Sequence, residues 1–369
     1  MRVSRGCQAA AIRTVSSAIG RQVLTLVLAA ILLPVAVSAS TAATGSRSRI
    51  VIHTTGEITG IALDGHRVVY SRAVLAPRCA AIIAFDITTG RKAVVSGRDK
   101  WPACDADTRM LALAGGRVVW ISEGESNSEH WAYLRAVSPP RRSEQQLAFA
   151  LTYFNPLPAS GNRLADLVGG SNLLVVNRWQ VKKNGDPGRT VLYAIEPRGL
   201  RRILTSPQAI FAQAVDGGRI AVLRARPRQL EIYDRGGRRH RTISVARLAG
   251  SHRGDAIALQ GGHLLVLKGR RLLVYDAHSG ALRHRWPVPG SATNLDTFGG
   301  VAVYAESTLA GAPFTLHVLR LSTGKDVALD RGLFQTLRNL ELGPSGLVYL
   351  KGKRTLVYLP FSRLLAAVS

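Results

Sequence analysis

The chain has 369 residues, 46% hydrophobic and 20% charged, which is ordinary for a globular protein and enough to bury a large core. These proportions exclude a chain that is mostly disordered or collagen-like. Lys and Arg number 49 against 23 Asp and Glu, a formal net charge of +26, so the balance favours acidic partners: a polysaccharide, a wall phosphate polymer, anionic lipid or nucleic acid. A genome that prefers Arg codons is the bland alternative, since Arg far outnumbers Lys.

The first segment reads as a targeting signal. Residues 1–21 are basic and polar. Val23 to Val37 is an almost unbroken apolar run, interrupted by Thr25 and Pro34, and Val37-Ser38-Ala39 then offers small residues for cleavage. The run is shorter than the ~20 residues a bilayer span needs. The expected organisation is a signal peptide over 1–39, a short linker over 40–48 and one domain over 49–369. A retained signal-anchor is the alternative, and only then is the membrane a partner. Cys7 precedes the apolar run, so it is not placed for lipid attachment at a cleavage site. Cys79 and Cys104 remain, and two cysteines in an exported chain predict one disulfide, with unlinked buried thiols as the alternative.

A short unit then recurs: apolar run, glycine-marked turn, second apolar run. The copies are Ile61–Tyr70, Leu111–Trp120, Leu164–Val176, Gln213–Leu223, Ile257–Leu267, Leu295–Tyr304 and Leu340–Leu350. Their last turn glycines are Gly65, Gly116, Gly170, Gly218, Gly262, Gly300 and Gly346, spaced 38 to 54 residues apart, the period of propeller blades. A two-residue hairpin needs positive φ, which Gly, Asn and Asp supply. The flanking runs are continuously apolar, as a strand covered on both faces requires.

A second hairpin follows most copies, as in Ala84–Val95, Ile232–Ile243, Val274–Trp286 and Leu319–Leu329, with Asp capping the turn and Gly taking the left-handed position. Each repeat is therefore strand a, tight turn, strand b, loop, strand c, Asp…Gly turn, strand d. The last copy supplies only a, b and a third strand, Thr355–Leu359, while Arg49–His53 is an orphan strand. Pairing the two predicts an all-β, seven-bladed β-propeller, its ring closed by the N-terminal strand completing the last blade. Six or eight blades are the alternatives.

The Asp…Thr-Gly hairpins resemble those of bacterial quinoprotein-like (PQQ-like) and TolB-like propeller repeats. The resemblance implies the fold. A quinoprotein dehydrogenase would carry Trp near the end of most blades, and only Trp286 stands in that place, so no cofactor is expected.

In such blades the a–b and c–d turns lie on one side, and the b–c loops and d–a connectors on the other. The second side holds the longer segments, and loops carry function. Its candidate ligand-binding cations are Lys182, Lys183 and Arg189; Arg224, Arg226 and Arg228; Lys268, Arg270 and Arg271; and Lys351, Lys353 and Arg354. Together they would focus anions, or they are solvated loop charge on a basic protein. The second copy is the opposite, with Glu123, Glu125 and Glu129. Tyr153, Phe154 and Trp179 offer rings for stacking on sugars, or pack structurally. Cys79 and Cys104 fall on this same side.

Signatures of chemistry are sparse. There is no His-Glu-x-x-His, no phosphate-cradling Gly loop before a helix and no Gly-x-Ser-x-Gly elbow. Asp105 and Asp107 form a weak calcium pattern, and no metal site is expected. Asp107, Asp255, Asn294 and Asn339 stand near the starts of a strands, where a carboxylate pair at the channel mouth could do acid–base work. Export argues against a nucleic-acid role. The expected function is a monomeric, non-enzymatic extracytoplasmic binding protein for an anionic envelope polymer or an envelope protein. The alternatives are a carbohydrate hydrolase or lyase with its site at the channel mouth, and an assembly scaffold.

Overall fold

The glycine-marked turns do bring paired apolar runs together. The computed structural model describes residues 49–73, 80–96, 107–138, 143–154, 159–224, 229–244, 256–306, 314–333 and 340–369. They are almost entirely antiparallel β-structure. In chain order, β1 (Ile50–His53) is followed by a four-stranded sheet of β2 (Ile58–Asp64), β3 (Arg67–Ala73), β4 (Ala80–Asp86) and β5 (Lys92–Ser96). Next come β6 (Asp107–Ala114), β7 (Arg117–Glu125), β8 (Glu129–Val137) and β9 (Gln145–Tyr153), then β10 (Ser160–Gly170), β11 (Leu173–Val181), β12 (Pro187–Glu196) and β13 (Gly199–Ser206). These eight strands form one sheet, but β9 and β10 pair only through Ser160 with Tyr153 and Gly161 with Thr152.

Three more four-stranded sheets follow. They are β14 (Ile210–Asp216), β15 (Arg219–Arg224), β16 (Gln229–Asp234) and β17 (Arg239–Ser244); β18 (Ala256–Gln260), β19 (His263–Lys268), β20 (Arg271–Asp276) and β21 (Leu282–Pro287); and β22 (Ala292–Phe298), β23 (Val301–Glu306), β24 (Phe314–Arg320) and β25 (Asp326–Leu333). The last sheet has β26 (Leu340–Leu342), β27 (Gly346–Leu350) and β28 (Thr355–Pro360), with β1 as its fourth strand. Ile50 faces Tyr358 and His53 faces Thr355 in that pairing. The chain finishes in α1 (Phe361–Val368), which the sequence reading did not anticipate. Pro360 precedes it, Leu364 and Val368 bury one side, and Phe361 meets Phe298 edge to face at 5.4 Å.

The first strands lie side by side: β2 beside β6, β6 beside β10, then β14, β18, β22 and β26, with β26 beside β2. Among the described residues the core is a series of clusters, each drawn from two successive groups of strands. One joins Ile61, Tyr70 and Phe85 to Ile52, Val348 and Tyr358, so the first and last groups share a core.

Two recurrent clasps hold neighbouring sheets in register. The residue ending a first strand caps the next sheet's tight turn: Asp64 accepts from the Gly116 amide at 3.5 Å, Asp216 from Gly261 at 2.8 Å and Gln260 from Gly299 at 3.2 Å. At the outer end, a fourth-strand side chain donates to a carbonyl of the next sheet's c–d turn: Arg201 to Arg235 at 2.9 Å, Arg241 to His278 at 3.0 Å and Trp286 to Leu321 at 3.1 Å. The bond made by Trp286 is thus made in the two preceding sheets by an arginine that stands nearer the c–d turn. A Cβ on Gly324 would lie 2.3 Å from the Trp286 ring, so the residue beneath that ring must be glycine.

One turn falls elsewhere than expected. In the third copy Ser171 and Asn172, at φ 44° and 71°, form the turn, and Gly169 and Gly170 end β10. Those glycines answer a different need, because a Cβ on them would lie 2.8 Å from the Leu113 carbonyl and 2.6 Å from that of Val215. The outer strands share a further device: β5, β9, β13, β17, β21 and β25 each have a register shift against their partner. Such bulges blunt an edge strand against pairing with other chains.

Candidate ligand-binding face

The predicted cations divide into bound, buried and free. Lys182 and Lys183 are exposed in the β11–β12 turn, which Asn184 and Asp186 stabilise by a 2.8 Å side-chain bond. Arg189 is exposed too, but it stands within β12 rather than in a loop. Arg224, at the end of β15, is an internal ion pair: its Nε donates to Glu231, which is 2% exposed, and its other nitrogens to Tyr233 Oη at 2.9 Å and Ser206 Oγ at 3.3 Å. Tyr233 donates to the same Glu231 oxygen at 2.6 Å. Burial pushes the Tyr233 hydroxyl above its ordinary value, and the Glu231 bond adds to the shift.

Lys268 is buried at the end of β19, so it is no part of a solvated rim. Lys351 donates to Asp330 at 2.8 Å and 3.1 Å, and Tyr349 donates to that carboxylate at 2.5 Å. Arg49 completes this group at 3.2 Å. Burial opposes ionisation of Asp330, but the bonds from Lys351 and Tyr349 outweigh it and hold the carboxyl below its usual range. Lys353 approaches Glu57 at 3.7 Å. Arg270 and Arg271, at the β19–β20 turn, are exposed, and their side chains make no hydrogen bond or ion pair among the described residues. Arg226, Arg228, Cys79, Cys104, Asp105, Asp255 and Asn339 lie outside the described residues. Among the described candidates, Lys182, Lys183, Arg189, Arg270, Arg271 and Arg354 are exposed, whereas Lys268 is buried and Arg224, Lys351 and Lys353 face carboxylates, so these cations do not all stand free on one rim.

A cleft of about 500 Å³ opens beside Arg270, walled by Pro287, Val288, Pro289 and Glu306. It lies between a b–c turn and a d–a connector, on the side expected to bind. Glu306 receives a bond from His317 Nε2 at 3.0 Å, and the other ring nitrogen faces Asp326 at 3.3 Å. The His317 ring stacks on Tyr304 at 4.9 Å. Burial disfavours the imidazolium, but Asp326 and then Glu306 more than compensate, and the His317 pKa is raised. The cleft carboxylate is thus backed by an imidazole whose protonated form the two acids favour. Glu306, His317 and Asp326 sit on three different strands with no sequence spacing to announce them.

In a second group Nε2 of buried His130 lies 3.4 Å from both the Glu123 carboxylate and the Arg163 guanidinium, to which it could donate or from which it could accept in turn. This is where one of the second copy's acidic residues goes. Tyr153 is exposed, and Phe154 and Trp179 are half-buried. Asn294 takes φ 52° within β22. Among the described residues no cluster of His, Cys, Asp and Glu is placed to hold a metal ion, and no helix is long and apolar enough to cross a membrane.

The strongest exposed charge stands where loops were not the guide. The outer strands β17 and β21 read Arg239-His240-Arg241 and Arg283-His284-Arg285, and all six residues are exposed. The paired Arg-His-Arg triplets were the available signal.

The fold is that of a β-propeller. No protein-family model and no curated protein matches the chain. Among solved structures, it is similar to an oligogalacturonate lyase in complex with manganese, at 15% identity and a TM-score of 0.52 over 85% of this chain and 91% of that one. It also matches BamB from Moraxella catarrhalis, at 14% identity and TM-score 0.46 over 82% and 85% of the two chains. A puromycin hydrolase matches at 16% and 0.49 over 80% of this chain and 50% of the other. All three are propeller proteins, and two of them, the lyase and the hydrolase, are enzymes by name.

Proposed function

We propose that the chain is an exported, non-enzymatic β-propeller that binds an anionic polymer of the cell envelope through the side carrying its b–c turns. In this reading the eight-stranded sheet counts as two blades joined at one corner. The blades then number seven, and β1 closes the ring by completing the last. The cleaved leader and a Cys79–Cys104 disulfide belong to the same proposal. The observation that carries the binding role is the pair Arg270 and Arg271, exposed without counter-ions, with Arg270 at the lip of the 500 Å³ cleft. Exposed guanidinium groups without partners attract and orient carboxylate or phosphate.

The test replaces Lys182, Lys183, Arg270 and Arg271 together by Gln and follows retention on immobilised polyanions across a salt series. The expected result is elution at clearly lower salt, because exposed charge pairs are screened. Unchanged elution would remove the proposed face. The enzymatic alternative rests on Glu306, a carboxylate in the cleft wall backed by His317. It predicts that the retained polymer is recovered shortened, and full-length polymer sets it aside.

A further inference from the structure

We propose that Arg117 holds a small inorganic anion, chloride being the type, between the second and third groups of strands. The site is independent of the binding role proposed above. Arg117 opens β7 directly after the tight turn at Gly115 and Gly116, at the end of the strand opposite the b–c turn.

Arg117 is only 7% exposed. Its Nη1 donates to the Ile195 carbonyl at 3.4 Å, a long bond. Nε and Nη2 are buried and have no hydrogen-bond partner among the described residues. These two nitrogens form one edge of the guanidinium, and their N–H groups converge on a single acceptor. A guanidinium keeps its charge inside a protein, and a buried charge without a partner is among the costliest arrangements a fold can carry. Arg224 shows the usual remedy. Burial disfavours its charge too, but Tyr233 and Glu231 take its nitrogens and carry its pKa above the ordinary value. At Arg117 burial acts without an opposing carboxylate, and the pKa is lowered.

The acid nearest in the fold is turned away. Glu196 follows Ile195 on β12. Ile195 packs with Val119 and Leu174 in the cluster shared with β7, so the alternation of the strand sends Glu196 to the opposite face, where it takes Arg201 at 2.6 Å. Arg67 and Arg219 open β3 and β15 as Arg117 opens β7. Both are only half-buried, and they donate to the Gly116 carbonyl at 3.3 Å and to the His278 ring at 2.6 Å. Of the three, Arg117 is the one shut away from water with an unmet edge. The partner it calls for is an anion from solution, and a small one. With so little of the side chain open, a polymer or a hydrated phosphate has no path to the buried edge. Chloride, monatomic and singly charged, balances the guanidinium one for one and accepts from both N–H groups.

The test follows thermal unfolding of the full chain while sodium gluconate is exchanged for sodium chloride at constant ionic strength, which keeps general screening fixed. An anion that binds only the folded state raises the melting temperature. Wild type is expected to gain roughly 2–4 °C at a tenfold excess of chloride over its dissociation constant. Arg117→Met, which removes the charge but keeps an apolar stem, is expected to gain nothing from chloride. Bromide-soaked crystals of wild type give a reading that needs no variant: an anomalous peak within hydrogen-bond reach of Nε and Nη2. Should the methionine variant fail to fold, that peak decides. A chloride gain shared equally by Arg117→Met puts the anion elsewhere and overturns the assignment. Identical wild-type melting in the two salts, or bromide peaks with none at Arg117, overturns it as well.

Discussion

At the scale of single residues, two buried or half-buried carboxylates are each shared by several donors. Glu231 is shared by Arg224, Tyr233 and Arg239, and Asp330 by Lys351, Tyr349 and Arg49. Removing one member of such a group leaves the others desolvated and uncompensated, which is where single substitutions cost most. His317 makes the pH-dependent case. Its folded pKa is raised by Asp326 and Glu306 against the cost of burial. Protonation therefore stabilises the fold: the contribution is fully present below the unfolded value near 6.5 and is lost as pH rises through the folded one. The difference in melting temperature between wild type and His317→Gln should accordingly shrink across that interval. A difference that stays constant from pH 5 to pH 9 would show that His317 is not titrating there. None of these partners was legible in the sequence. Glu306, His317 and Asp326 meet because three strands stand side by side, and no local pattern encodes that meeting. Arg224 and Lys351 were noticed for their charge, but the acids that bind them come from other strands.

At the scale of elements, legibility follows backbone geometry. A tight turn with positive φ leaves glycine in the sequence, so the hairpins at Gly65, Gly116, Gly218, Gly262 and Gly300 could be located from residues alone. Asp86 and Asp276 likewise announce their turns, each accepting two backbone amides at 2.8 to 2.9 Å. The third copy misled because Ser171 and Asn172 adopt the same geometry, and the adjacent glycines serve close backbone approach instead. Bulges in the outer strands leave no mark, since any residue can occupy them. The short helix α1 lies beyond the last strand read from the sequence, and its eight residues are too few for a helical period to stand out. Gly324 and Gly300 separate two reasons for a conserved geometry. Both have positive φ, near 75°, but only Gly324 is covered, by Trp286. Gly300→Ala should cost about 1 kcal/mol for the left-handed backbone alone. Gly324→Ala should cost about 2–3 kcal/mol, because the new methyl must also displace the indole. Denaturant unfolding of the two variants measures both, and equal losses would mean the Trp286 contact does not constrain the turn.

At the scale of the whole molecule, the repeat period and the apolar pairs pointed to a propeller, and the antiparallel sheets and propeller-fold neighbours agree. The proposed closure puts weight on four residues at the start of the domain. Ile52 is 4% exposed and packs in the cluster shared with Tyr70, Val348 and Tyr358. Ile52→Ala should therefore lower stability by about 2–4 kcal/mol, a core-sized loss from a terminal strand. Val51, which faces solvent at 42% exposure, is the control, and Val51→Ala should change stability by less than about 0.5 kcal/mol. Comparable small effects at both positions would mean that β1 is an ornament rather than a fastening. Exported location and the cysteine bridge were legible only as expectations, since the leader, Cys79 and Cys104 lie outside the described residues.

The caps from Asp64, Asp216 and Gln260 carry a consequence for how such a chain comes apart. Each lends its oxygen to an amide in the sheet that follows, so a sheet that frays exposes a donor next door as well as its own edge. Damage passes sideways as an unmet polar group instead of stopping at a boundary. A fragment cut at one of these three junctions would inherit an orphaned turn, so the sheets that meet there are coupled neighbours and not separable parts.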